Sequence, residues 1–223
     1  MTRISEKIES VQTRLLKAAS KGDAPVLLAV SKTRSADNIR EAAACGLTHF
    51  GENYLQEALA KIADLKDLNL IWHFIGSIQS NKTKEIANNF DWVHTVDREK
   101  TARRLSDGRP GELSDLNILI QINIDAETSK GGIAPEAIAK LATTITNLPR
   151  LKLRGLMAIP RARTSFNDQL EVCRRVKSLF DELKQQHPEI DTLSMGMSAD
   201  LEAAVQAGSS LVRIGTDVFG PRT

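Results

Sequence analysis

Stretches of strand length and apolar character alternate with helical stretches eight times along this chain, and few folds accommodate that rhythm. The apolar stretches are PVLLAV (25–30), THF (48–50), LIWHFIG (70–76), DWVHTV (91–96), NILIQINI (117–124), LRGLMAI (153–159), TLSMG (192–196) and LVRIGT (211–216). Between them, DNIREAAAC has Ser35 as its N-cap and Gly46 as its stop. Further helices are expected from Tyr54, Ser80, Arg98 and Pro135, between Ser165 and Gln186, and over DLEAAVQAG. Strands joined through helices of this length pair in parallel, and eight such units predict a closed (β/α)8 TIM barrel; a doubly wound open sheet is the alternative. Ile4, Ile8, Val11, Leu15 and Ala19 form one apolar stripe, so an extra N-terminal helix precedes the first strand, which comes after Gly22. The last strand is followed by a short tail.

At 223 residues the chain suits one substantial core, and a single domain over 1–223 is expected. The net charge of +2 is a small excess within a mixed population of 30 basic and 28 acidic residues. It predicts neither a nucleic-acid stripe nor a membrane-binding face. Charges interrupt the N-terminus and no apolar run reaches membrane-spanning length, so a cytoplasmic protein is expected. Cys45 and Cys173, far apart and without metal-ligand spacing, read as buried reduced thiols.

In such a barrel the active face lies at the C-terminal ends of the strands, and polar residues collect there. Lys32 follows a fully apolar strand. Desolvation would lower its pKa and free the amine to attack a carbonyl, which is Schiff-base chemistry; a lysine snorkelling to solvent is the structural alternative. Period-2 alternation places Arg213 and Gly215 on the inner face of the last strand, with Val212 and Ile214 outside. An inward guanidinium needs an acceptor or an anion. By the same count Ile118, Ile120, Ile122 and Ile124 face outward, leaving Gln121 and Asn123 as inward amides. The loops after the seventh and eighth strands often bind phosphate in this fold, and they carry Ser198, Gly215 and Thr216. An amine-reactive carbonyl on one side and a phosphate on the other describe pyridoxal 5'-phosphate (PLP). A barrel in which Lys32 forms an imine with a sugar phosphate is a competing reading.

Six segments carry a resemblance: A-V-S-K (29–32), F-G-E-N (50–53), H-F-I-G-S-I-Q-S-N-K (73–82), R-G-L-M (154–157), L-S-M-G-M-S-A-D (193–200) and V-R-I-G-T-D-V-F-G (212–220). In this order they closely resemble the pyridoxal phosphate homeostasis protein family. The resemblance implies a PLP fold-type III barrel like the N-terminal domain of alanine racemase, without that enzyme's C-terminal β domain. It also implies PLP covalently held on Lys32, and a role in vitamin B6 and amino-acid balance. Asn53 and Ser77 would line the cofactor, Met195 and Ser198 would lie beside it, Gly215 and Thr216 would hold the phosphate, and Arg213 would approach the pyridine nitrogen.

An active PLP-dependent racemase or decarboxylase is the alternative. Racemisation needs an acid and a base on opposite faces of the substrate carbon, and the only tyrosine, Tyr54, reads as a packing residue. An arginine at the pyridine nitrogen also weakens the ring as an electron sink. A non-catalytic, monomeric carrier is therefore expected, with amino acids or PLP-dependent apo-enzymes as its further partners. His49, His73, His94 and His187 lack metal-site spacing and read as satisfied structural groups, and no metal is expected. Lys82, Lys84, Arg98, Lys100, Arg103 and Arg104 read as solvated surface, and Met157, Met195 and Met197 as packing residues, with contact to the cofactor ring open to Met195.

Overall fold

In the computed structural model, which describes residues 3–19, 24–128 and 130–221, eight parallel strands close into a barrel in sequence order. The strands are β1 (Val26–Val30), β2 (His49–Glu52), β3 (Ile71–Phe74), β4 (Trp92–Val96), β5 (Leu116–Ile122), β6 (Leu151–Ala158), β7 (Thr192–Ser194) and β8 (Leu211–Ile214). Closure is made by β1 on β8, with Val26 level with Leu211 and Ala29 with Ile214. The doubly wound sheet is thereby excluded.

The helices are α1 (Ile4–Ala18), α2 (Ala36–Ala44), α3 (Leu55–Asp64), α4 (Thr83–Asn89), α5 (Glu99–Gly108), α6 (Ile138–Thr146), α7 (Phe166–Gln186), α8 (Leu201–Gln206) and α9 (Thr216–Phe219). Ser35 caps α2, its side chain accepting from the Asn38 N–H at 3.3 Å, and Gly46 turns the chain away with φ of 89°. The strand LRGLMAI begins earlier than its apolar run, at Leu151, because Leu151 and Leu153 alternate with Lys152 and Arg154. The tail after β8 is the short helix α9. Gly22, ahead of the first strand, lies outside the described residues.

Two apolar layers result. The larger lies between strands and helices, and Val212, Ile214 and the four outward isoleucines of the fifth strand and its extension belong to it. A small inner cluster of Trp92, Leu119 and Met157 fills part of the barrel interior. The N-terminal helix buries Ile4, Ile8, Val11, Leu15 and Ala18 and packs on α2, α8 and α9. Cys173 is buried in the outer layer, where desolvation pushes its thiol up to about 12, whereas Cys45 is half-buried; both are free thiols.

Candidate functional site

The mouth of the barrel holds a cavity of about 320 Å³ whose lining includes Lys32, Asn53, Ser198, Arg213, Gly215 and Thr216. Strand parity explains the lysine. Leu28 packs inside against Gly51, Val30 lines the cavity above it, and Lys32 continues that face as a half-buried side chain. Gly215 lies close to β1, where a Cβ would come 3.3 Å from the Val30 carbonyl oxygen, a tight contact. Gly76 matters more: a Cβ there would lie 2.1 Å from the Asn53 carbonyl oxygen, so only glycine lets the loops after β2 and β3 meet. Asn53 Oδ1 is buried and has no hydrogen-bond partner, an acceptor left over for a bound molecule.

A cluster of charges anchors the turn that bears Lys32. Ser31 faces outward, its hydroxyl donating to Glu52 Oε1 at 2.6 Å. Lys61 of α3 donates to the Ser31 carbonyl at 2.7 Å, to Glu52 Oε1 at 2.8 Å and to Glu57 Oε1. Glu57 in turn accepts from the Thr33 N–H at 2.6 Å, and Thr33 holds a left-handed φ of 63°. An unfavourable backbone conformation next to the lysine is thus held by three side chains. Burial pushes the Glu52 carboxyl above its ordinary range, with Lys61 and Ser31 pulling the other way.

Across the cavity, Arg213 is buried and donates to Ser194 Oγ at 2.6 Å and to the Ala158 carbonyl at 2.9 Å. Burial lowers its pKa to about 10, with the field of Asp200 opposing, so it stays cationic at neutral pH. Its hydrogen bonds therefore go to neutral oxygens, and a cation held this way suits a pyridine nitrogen lone pair or an anion.

Ser194 continues into a line of histidines that their separate positions in sequence did not foretell. His94 Nδ1 lies 3.2 Å from Ser194 Oγ, His94 Nε2 lies 2.9 Å from His73 Nδ1, and His73 Nε2 lies 2.9 Å from His49 Nδ1. Each of the three is hydrogen-bonded within the barrel, as structural groups are. They stand on neighbouring strands, each two residues beyond the position paired with its predecessor, so the line climbs as it crosses the barrel. Burial, then the neighbouring imidazoles for His73 and Arg213 for His94, hold both rings well below the usual histidine range.

The loops carrying Ser198 and Thr216 are joined from outside by α1. Arg14 donates to Glu202 at 2.7 Å, to Asp217 at 2.7 Å and to the Ser198 carbonyl at 3.0 Å. No motif pointed to this residue, because its partners lie almost the whole chain away.

Other expected site residues fall elsewhere. Ser77 lines a neighbouring cavity of about 420 Å³, which Asn53 also borders together with Tyr54, Gln79 and Lys82. Met195 is corrected: Ser194 points inward, so Met195 points outward and is fully buried in the outer layer, while Met197 lines the cavity. Met157 lines it too. Gln121 and Asn123 secure a loop: Gln121 donates to the Gly131 carbonyl at 3.0 Å, and Asn123 exchanges bonds of 2.8 and 3.0 Å with the Glu127 backbone. Tyr54 is exposed rather than packed, at 55%. Lys82 lines the second cavity and pairs with Glu85 at 3.1 Å, so it is not simple solvated surface.

The sequence matches the family profile of the alanine racemase N-terminal domain over residues 5–223. It is 49% identical over 229 residues to the pyridoxal phosphate homeostasis protein of Escherichia coli K12, covering 100% of this chain and 98% of the relative. To that of Pseudomonas aeruginosa it is 52% identical over 226 residues, covering 100% and 97%. Among solved structures, PipY of Synechococcus elongatus with PLP bound superposes with a TM-score of 0.87 at 36% identity, covering 98% of this chain and 100% of that one. Alanine racemase of Clostridium difficile shares the fold alone, with a TM-score of 0.70 at 14% identity; the match covers 94% of this chain and 56% of the racemase. With the whole chain matched at this identity, the protein belongs to the pyridoxal phosphate homeostasis protein family.

Proposed function

We propose that this chain binds pyridoxal 5'-phosphate in the mouth cavity and holds it as a Schiff base on Lys32, as one binding domain over residues 1–223. The observation that carries the reading is the pairing of Lys32 with Arg213 across one cavity that also presents Ser198, Gly215 and Thr216. The dimensions suit the cofactor, and the partnerless Asn53 Oδ1 offers an acceptor to its ring substituents. When bound, PLP supplies an aldehyde that captures amines. The chain's part is to hold the amine at Lys32, set a fixed cation at the ring nitrogen, and present hydroxyls and backbone N–H groups to the phosphate.

The function that follows is intracellular PLP homeostasis in the cytoplasm by a monomer that stores or hands on the cofactor without turnover, with amino acids or PLP-dependent apo-enzymes as partners. Among the described lining residues, none besides Lys32 is a carboxylate, histidine, tyrosine or cysteine able to act as a second acid or base. A cationic partner at the ring nitrogen disfavours its protonation and so the stabilisation of a carbanion.

Purified protein mixed with PLP should develop a yellow imine absorption band that borohydride traps on Lys32, and Lys32→Ala should abolish it. A panel of amino acids should give no product. A band that survives in Lys32→Ala defeats the linkage, turnover of any amino acid defeats the carrier reading, and a stable dimer on sedimentation defeats the monomer.

A further inference from the structure

The line from His49 through His73, His94 and Ser194 to Arg213 crosses the barrel from the floor, where β2 begins, to the cavity at the mouth. Each neutral imidazole offers one donor and one acceptor, so the line has two possible orders. In one, Ser194 gives its hydroxyl proton to His94 Nδ1, and each ring passes an Nε2–H to the next Nδ1 toward the floor. In the other, every proton is reversed, and Ser194 Oγ accepts from both His94 and Arg213.

Electrostatics selects the first. Arg213 is a fixed cation at one end, and the first order turns the lone-pair side of every ring toward it. The reverse order aims a series of N–H groups at the guanidinium. The packing gives the rings little freedom to choose otherwise, because His73 is stacked on Trp92 at 5.3 Å between centroids and both His73 and His94 are fully buried.

We infer that this histidine line is a positioning device for Arg213: with its rings in the Nε2–H form, it fixes the Ser194 hydroxyl and hence the guanidinium that faces the cofactor pocket. The inference rests on the proposal that the pocket takes PLP. His94 and Ser194 are the positioning residues, and the line gives Arg213 one orientation instead of several. Ser194 can point only one lone pair at Arg213 while its proton is committed to His94. A guanidinium held by that lone pair and by the Ala158 carbonyl keeps a remaining edge for the ring nitrogen.

The first test uses the PLP-free protein. Long-range nitrogen–proton spectra of labelled histidines, recorded from pH 8 to 6, should show His73 and His94 neutral and in the Nε2–H form. The Nδ1–H form at His94, or a charged ring in either, overturns the inference. The second test follows PLP binding by absorbance. His94→Phe and Ser194→Ala should each weaken binding about tenfold, the loss expected for one hydrogen bond to a charged group. The double variant should be no worse than either alone, because both break one path. His94→Asn, with an oxygen near the place of Nδ1, should recover most of the affinity and the band position. Unchanged binding in both single variants, or strictly additive losses, overturns the inference. If the unaltered protein forms no imine band, the pocket reading fails, while the histidine spectra still decide the order of the line.

Discussion

Beneath Lys32, two carboxylates share one ammonium in the layer between strands and helices, whereas beneath Arg213 three neutral rings are threaded through the barrel interior. The first anchors the turn that bears Lys32 and the second reaches Arg213 itself, yet they differ in what they keep charged. Glu52, Glu57 and Lys61 carry a net charge of −1 if both carboxylates are ionised, and Glu52 is buried with its Oε2 unpartnered. The histidine line removes charge altogether and leaves a lone guanidinium. The difference follows from place. Helix α3 lets a lysine reach the outer layer along its own aliphatic stem, while the interior, lined from all eight strands, admits no such flexible counter-ion.

The sharpest way to break the comparison is Lys61→Met. A buried carboxylate that loses its cation should cost about 3–5 kcal/mol of stability, read from urea denaturation. A loss under about 1 kcal/mol would mean that Glu52 takes up a proton instead, making the two networks alike in being neutral.

Acidity separates them next. His73 and His94 have folded values below their unfolded one near 6.5, so their contribution is present above that pH and lost as pH falls below it. Glu52 has a folded value above its unfolded 4.5, so its contribution is present below 4.5 and lost as pH rises through the folded value. Stability measured from pH 7 down to 5 should therefore fall, with each ring adding up to about 1.4 kcal/mol per pH unit to the slope. His73→Gln should flatten that limb and Glu52→Gln should not; the opposite pattern would reverse the assignment of neutral and charged networks.

Two smaller effects sharpen the picture. Arg14→Ala removes a partly exposed arginine, so stability should drop by only about 1 kcal/mol, while PLP should dissociate faster because the loops of Ser198 and Thr216 lose their common tie. Equal dissociation rates would confine that arginine to surface pairing. Glu57→Gln keeps an acceptor for Thr33 and Lys61 while removing the excess charge. Thermal unfolding should shift by no more than the equivalent of about 1 kcal/mol in either direction, and a larger loss would show that the second carboxylate is required as a charge.

The alternation of strands and helices was legible because it is local: each apolar run and each cap is decided within about ten residues. Arg213 was legible for the same reason, since two-residue parity along β8 places it inside without knowledge of any other strand. Met195 shows the limit of borrowing a position from a motif, because the parity of its own strand, with Ser194 inward, turns it into the outer layer. The histidine line was not legible. Which residues on β2, β3, β4 and β7 come into contact depends on inter-strand register, which no single strand encodes. The contact of Lys61 with the turn after β1 hides similarly. Its pairing with Glu57 is an ordinary helical i,i+4 pair, and only the docking of α3 reveals the other partners.

The opening elements of the barrel are completed by its closing ones. Helix α1 packs on α8 and α9, β1 pairs with β8, and Arg34 donates to the carbonyls of Gly220 and Pro221. A growing chain thus carries the apolar stripe of α1 and an open edge of β1 until α8, β8 and α9 have been made. Closure of the barrel accordingly waits for its most distant strand and carries a large loop-closure cost, and until then an apolar helix face and a strand edge stay uncovered.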